Sequence, residues 1–194
     1  MKPGRRALGI AESYRGTDDG DTTSTLAGVV VRADRTVDDF VFGACTVGGH
    51  DATETIIDCW RRLDRPDVQY CFLAGVAPAW YNLVDLEAVA EAIDRPVIAV
   101  SFEASEGLGE AIREAFDGDE RAMRLDTYEA LPERWRLETD GQGGDLFVRN
   151  VGLDAETAET VVRAYTYERR PEPLRVAKRA AHGADAAREV FRRD

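Results

Sequence analysis

A mixed α/β fold is what this sequence predicts: an antiparallel three-strand meander, then parallel crossover strands, with helices on both faces of the sheet. Two observations carry that expectation. Three β-rich runs come first with no helical pattern between them, and amphipathic helical patterns then alternate with short apolar runs. The 194 residues suffice for one core, and neither a linker nor an internal repeat marks a boundary, so residues 1–194 read as a single domain.

The elements follow in order. Ala7 to Ile10, Leu26 to Ala33 and Val37 to Val47 are the opening strands, with "RADRT" as a hairpin turn and the loop "YRGTDDGDTTS" as a solvated connection. In "GGHDATETIIDCWRRL", Ile56, Ile57, Trp60 and Leu63 share one helical face, and Asp51 and Glu54 have the spacing of a capping pair. A buried strand spans Tyr70 to Leu73. Leu83, Leu86, Val89, Ala90 and Ile93 then keep helical register, and "RPVIAVSF" supplies a strand parallel to its predecessor because a helix crosses between them. Two short helices, 108–116 and 121–131, precede strands 134–139 and 146–151, joined by the turn "DGQGGD". A helix from Ala155 to Tyr167 opens at its cap, Asp154. Residues 168–194 read as a basic helical extension that begins at prolines. Strand-strand-strand-helix-strand-helix-strand is the core order of RNase H-like folds.

Charge and cysteine usage narrow the setting. The net charge is −12, and only Lys2 and Lys178 among the 25 basic residues are lysine. An acidic, arginine-rich composition fits a high-salt host such as a halophilic archaeon, where self-repulsion is screened. The charge is uneven: 163–194 carry a net +4 and the rest a net −16. Cys45, Cys59 and Cys71 lie in apolar runs without C-x-x-C spacing, as expected of buried free thiols in a reducing cytoplasm. No apolar run reaches membrane-spanning length, and no P-loop, G-x-S-x-G or H-E-x-x-H motif occurs.

Five blocks, "MKPGRRALGIAES", "GGHDATETIID", "LAGVAPAWYNLVDLEAV", "RPVIAV" and "RRPEPLRVAKRAA", occur in this order across nearly the whole chain. Together they resemble the archaeal domain-of-unknown-function family number 99, which looks like a distant relative of endonuclease V in the RNase H-like superfamily. The resemblance implies a two-Mg²⁺ nuclease site: an aspartate ending the first strand, a glutamate on the first core helix, and an aspartate ending the fourth strand. The matching positions here are Ala11, Glu54 and Ala74. A methyl group cannot ligate a metal. Glu12 adjoins Ala11, but neighbouring side chains on a strand point to opposite faces, and only a flared strand end would bring it back.

Two functional expectations follow. The preferred one is a noncatalytic or impaired endonuclease V-like module, without metal or other cofactor, that binds nucleic acid, a protein partner or a second copy of itself. The alternative is a Mg²⁺-dependent endonuclease with a rearranged site built from Glu12, Asp51, Glu54 and Asp85. "GGHDATE" reads either as a phosphate pocket at a helix start or as a plain cap with His50 in solvent. Trp80 and Tyr81 of "PAWYN" read either as base-stacking rings or as a lid on the core, with Asn82 capping the helix that follows. Arg169, Arg170 and Arg175, near Lys178 and Arg179, could grip phosphates or pair with acidic groups. His182 matches no ligand spacing.

Overall fold

The computed structural model describes residues 2–14, 22–104, 107–139 and 144–192, apart from the side chains of residues 189 and 192. The acidic triplet of the first loop and most of "DGQGGD" lie outside these residues. Seven strands form one sheet in the order β3-β2-β1-β4-β5-β7-β6. β1 (Arg6–Glu12), β2 (Thr23–Arg32) and β3 (Val37–Thr46) make the antiparallel meander. β4 (Val68–Ala74) joins β1 in parallel, and β5 (Val97–Ser101) joins β4 in parallel. The chain is therefore a mixed α/β protein with the expected strand order. β7 (Leu146–Val151) closes antiparallel on β5, and β6 (Trp135–Leu137), only three residues long, pairs with β7.

Strand alternation assigns the helices to faces. Leu8, Ile10, Cys71 and Leu73 pack against Ile56, Ile57 and Cys59 of α1 (Ala52–Leu63) and Leu86, Val89 and Ile93 of α3 (Leu86–Ile93). On the other face, Ala7, Tyr70 and Phe72 meet Val161, Val162 and Tyr165 of α6 (Ala155–Tyr165) and Leu174 of α7 (Glu172–Arg192). Between α3 and α6 run α4 (Gly109–Ala115) and α5 (Gly118–Glu129). Asp154 accepts from the Thr157 amide at 2.8 Å, the predicted cap of α6.

The C-terminal helix differs from the expected extension: α7 is a layer of the core. Its Leu174, Ala177 and Ala181 are fully buried, and Ala177 packs on Ala11, Val29 and Val31. The approach is close enough to require glycine at position 9, where a Cβ would lie 2.3 Å from the Pro173 carbonyl carbon and 2.5 Å from its Cβ. Further along, Thr25 donates to Asp185 at 2.9 Å, and Arg188 donates to Thr23 and Thr25 at 3.0 Å. The small residues between the basic ones pack the helix down.

At the opposite end of the sheet from β1's last residue, Asp38 accepts from Arg6 at 2.6 Å and from Arg32 at 2.8 Å. The outer edge of β3 is partly covered, since Arg62 of α1 donates to the Phe42 carbonyl at 2.7 Å. The three cysteines are free and buried, as expected, and burial pushes the thiols of Cys45 and Cys71 up to about 12.

Two outcomes follow from this packing. Gly9→Ala lowers stability by about 1–3 kcal/mol, read as a reduced midpoint in denaturant, because the obstructing atoms are backbone and a proline ring. Native protein gives no rapid reaction with a thiol reagent, whereas unfolded protein titrates three thiols.

Candidate functional site

Parallel pairing of β1, β4 and β5 brings three carboxyl-terminal strand ends side by side, with Ile10 opposite Leu73 and Ala74 opposite Val100. Clefts in α/β sheets form where such ends meet connecting loops. Here that place holds a cavity of about 450 Å³, reached by Glu12 at the end of β1, Ala74 at the end of β4 and Ser101 at the end of β5. Among the described residues, four cationic side chains, Arg134, Arg149, Arg170 and Lys178, line it against two carboxylates, Glu12 and Glu103, a net charge of two positive. Phe102, Tyr128 and Phe147 complete its walls.

Each wall aromatic carries a guanidinium. Arg170 lies over Phe102 at 4.2 Å, Arg134 over Phe147 at 4.2 Å and Arg149 over Tyr128 at 5.3 Å. Arg134 also donates to the Glu103 carbonyl at 2.5 Å, and Arg149 to the Tyr128 hydroxyl at 3.3 Å and to the Pro132 carbonyl. These bonds help fix two of the cations in place.

Glu12 is the carboxylate at the end of β1 that reaches the cavity. Its Oε2 accepts from the Ser24 hydroxyl at 2.9 Å and from the Tyr14 amide. Lys178 of α7 donates to its backbone carbonyl at 2.7 Å and to Oε1 at 3.2 Å. This revises the reading of Ala11 as the vacated ligand position. Alternation along β1 sends Ala11 into the core against Ala177, and it borders a void of about 10 Å³ beside Glu12, Ile56 and Ala74. Ala11 and Ala74 do lie on adjacent strands, as the resemblance required.

The other predicted acids do not gather at this place. Glu54 is exposed, and the α1 residue beside Ala11 and Ala74 is Ile56. Asp85 caps α3 by accepting from the Ala88 amide at 3.0 Å. Asp51 is turned back to β3, accepting from the Thr46 amide at 3.0 Å, the Thr46 hydroxyl at 2.8 Å and Asn82 Nδ2 at 2.6 Å. It makes no side-chain cap of its own helix. Asn82 takes that role from a distance, its Oδ1 accepting from the Ala52 amide at 2.9 Å, which corrects both the Asp51–Glu54 capping pair and the cap assigned to α3. Burial opposes ionisation of Asp51, but hydrogen bonds from Asn82 and Thr46 outweigh it and hold its carboxyl below the usual range.

Nor do the predicted stacking rings face the cavity. Trp80 and Tyr81 belong to the single turn α2 (Pro78–Tyr81), where Ala79, Trp80 and Tyr81 have φ of 48°, 57° and 59°. Trp80 packs on Phe116 at 5.0 Å, and buried Arg124 stacks on the other side of the cluster, over Phe116 at 3.9 Å. Arg124 donates to the Gly48 carbonyl at 2.5 Å, the Tyr81 carbonyl at 3.2 Å and the carboxylate of Glu120, which His50 also contacts at 2.9 Å. Of the predicted arginines, Arg170 lines the cavity. Arg175 pairs with Glu172 at 2.7 Å, and Arg169 is exposed away from the lining. Sequence reasoning missed Arg134 and Arg149, whose only signal was arginine in two late strands.

The described donor set suits a divalent cation poorly. At Glu12 it would meet the Lys178 ammonium and the Ala74 methyl, and no group of three or more His, Cys, Asp or Glu among the described residues is placed to share a metal. Asn82→Ala lowers stability by about 1–3 kcal/mol through the orphaned Ala52 amide and Asp51 carboxylate. Asp51's depressed folded pKa contributes stability that is present above its unfolded value, about 3.9, and lost as pH falls through the folded one. Asp51→Asn therefore flattens the loss of unfolding free energy below about pH 4, measured by denaturant titration at successive pH values.

Comparison with known proteins places the chain in a family and relates its fold to solved structures. Residues 3–184 match the family described as endonuclease dU. The UPF0215 protein of Pyrobaculum calidifontis is 35% identical over 178 residues, 91% of this chain and 94% of its own. A crystal structure of an Archaeoglobus fulgidus protein of unknown function superposes with a TM-score of 0.79 at 25% identity, covering 93% of this chain and 98% of its own. Endonuclease V of Ciona intestinalis, solved with a 24mer DNA containing an inosine, has a TM-score of 0.59 at 13% identity over 98% of this chain and 87% of its own, a likeness of fold.

Proposed function

This chain belongs to the endonuclease dU family, and from that membership we propose that it is a nucleic-acid-binding module in which two-metal hydrolysis is lost or impaired. The observation that carries the reading is the cavity at the ends of β1, β4 and β5, where a nuclease of this fold would concentrate carboxylates. Here the fourth strand ends in Ala74, and the one carboxylate ending β1, Glu12, is tied to Lys178. The cavity's positive charge within a chain of net −12 favours a phosphate-bearing ligand, since low-dielectric walls focus the field of the lining groups.

The alternative, a Mg²⁺-dependent endonuclease with a rearranged site, gains support from Glu12 reaching the cavity. It gains none from Asp51, Asp85 and Glu54, which are committed to Thr46 and Asn82, to the α3 cap, and to solvent. The two readings separate in one experiment with single-stranded oligonucleotides containing dU or inosine, scoring binding and cleavage independently in EDTA and with Mg²⁺ or Mn²⁺. The expected result is binding in EDTA without cleavage under any condition. Metal-dependent cleavage abolished by Glu12→Gln would overturn the proposal in favour of the alternative, and absence of both binding and cleavage would overturn both.

A further inference from the structure

Two cations of the cavity still have hydrogen-bond donors to give. Lys178 spends two of its three N–H groups on Glu12, one on the carbonyl and one on the carboxylate. Arg170 stacks flat on Phe102, and among the described residues no protein group accepts a hydrogen bond from its five guanidinium N–H groups. Stacking holds the guanidinium plane in place and leaves its donor edge open, the geometry that suits a bidentate oxyanion. Both groups line one space of about 450 Å³, within the roughly 300–1,000 Å³ range of small-molecule sites and too small for a duplex.

We propose that this cavity binds a terminal phosphomonoester of a nucleic-acid chain directly, without a divalent cation, through Arg170 and Lys178. Charge selects the monoester over an internal phosphodiester. A terminal phosphate carries about −1.5 to −2 at pH 7, matching the lining's net charge of two positive, whereas an internal linkage carries a single charge. In this arrangement the Lys178 ammonium has two tasks. It cancels the Glu12 carboxylate, which would otherwise repel the phosphate, and it offers its remaining N–H to the ligand. A divalent cation is then superfluous as a bridge, because protein cations supply the counter-charge.

This inference deepens the reading of the cavity as a nucleic-acid site, and its test separates the two. Short single-stranded oligonucleotides of one sequence, bearing a 5′ phosphate, a 3′ phosphate or hydroxyls at both ends, are titrated calorimetrically in EDTA and in Mg²⁺. At least one phosphorylated form is expected to bind tenfold or more tighter than the hydroxyl form, equally in EDTA and Mg²⁺. Arg170→Gln, an exposed position whose change leaves the fold intact by circular dichroism, is expected to weaken that form at least fivefold and to shrink its advantage over the hydroxyl form. Lys178→Met is expected to do the same. Equal affinity for phosphorylated and hydroxyl forms, or binding that vanishes in EDTA, would overturn the inference while leaving nucleic-acid binding in place. Wild-type affinity in Arg170→Gln would also overturn it. Tight binding of a phosphorylated mononucleotide with no added contribution from a longer chain would instead uphold the phosphate site and remove the oligonucleotide reading.

Discussion

The contact between Gly9 and Pro173 sets the rest of the site. It brings α7 onto β1 at a separation only a missing side chain allows, and helix and strand then run on toward the same end of the sheet. From Pro173, five helical residues advance about 7.5 Å to Lys178, and from Gly9, three strand residues advance about 10 Å to Glu12. The ammonium and the carboxylate therefore arrive together, 166 residues apart in the chain. Ala177 on Ala11 and the Asp185–Thr25 bond keep the helix from sliding along this track.

A second constraint lies across the sheet, where the chain leaves β4. Ala79, Trp80 and Tyr81 adopt left-handed backbone angles that cost L-residues about 1–2 kcal/mol each. The surroundings offset this. The Gly48 amide donates to the Ala79 carbonyl at 2.8 Å, Arg124 holds the Tyr81 and Gly48 carbonyls together, and Trp80 fills space that a side chain at Gly48 would occupy. The turn delivers Asn82 to the start of α1, where it serves Ala52 and Asp51 at once. The seating of α1 beside the end of β4 thus draws on an arginine buried in α5, an element with no share in the cavity charge.

What the sequence made legible is what repeats locally. Alternation placed the strands, helical periodicity placed α1, α3 and α6, and the Asp154 cap was readable because donor and acceptor sit three residues apart. What escaped was non-local. "HDATE" has the spacing of a capping pair, yet the amide at the helix start found its acceptor 30 residues away on Asn82. The left-handed turn at "PAWYN" carries no glycine to announce it. Arg134 and Arg149 look like solvent-facing strand residues until β6 and β7 fold beside β5, and Arg170 separates from Arg169 and Arg175 only when the bend before α7 aims it at Phe102. The resemblance found the right strand ends but not which side chain occupies them, because Ala11 and Glu12 differ by one position and one position reverses the face.

Position 74 ties the chemistry together. A carboxylate there, as the resemblance implies for relatives, would join Glu12 in the cavity lining and form a two-acid donor set with an appetite for a cation. Lys178 could not satisfy both acids, and the described lining's net charge would fall from two positive to one, weakening its hold on a phosphate. With alanine, Glu12 is left alone, one ammonium suffices to neutralise it, and the three arginines give the cavity its positive sign. The acidic exterior sharpens the contrast. Its repulsion toward an approaching polyanion acts over a Debye length of about 10 Å at 0.1 M salt and shrinks to about 3 Å at 1 M, whereas hydrogen-bonded contact inside a walled cavity is screened far less. Salt therefore weakens the barrier outside a net −12 chain more than it would weaken the proposed grip on a phosphate within.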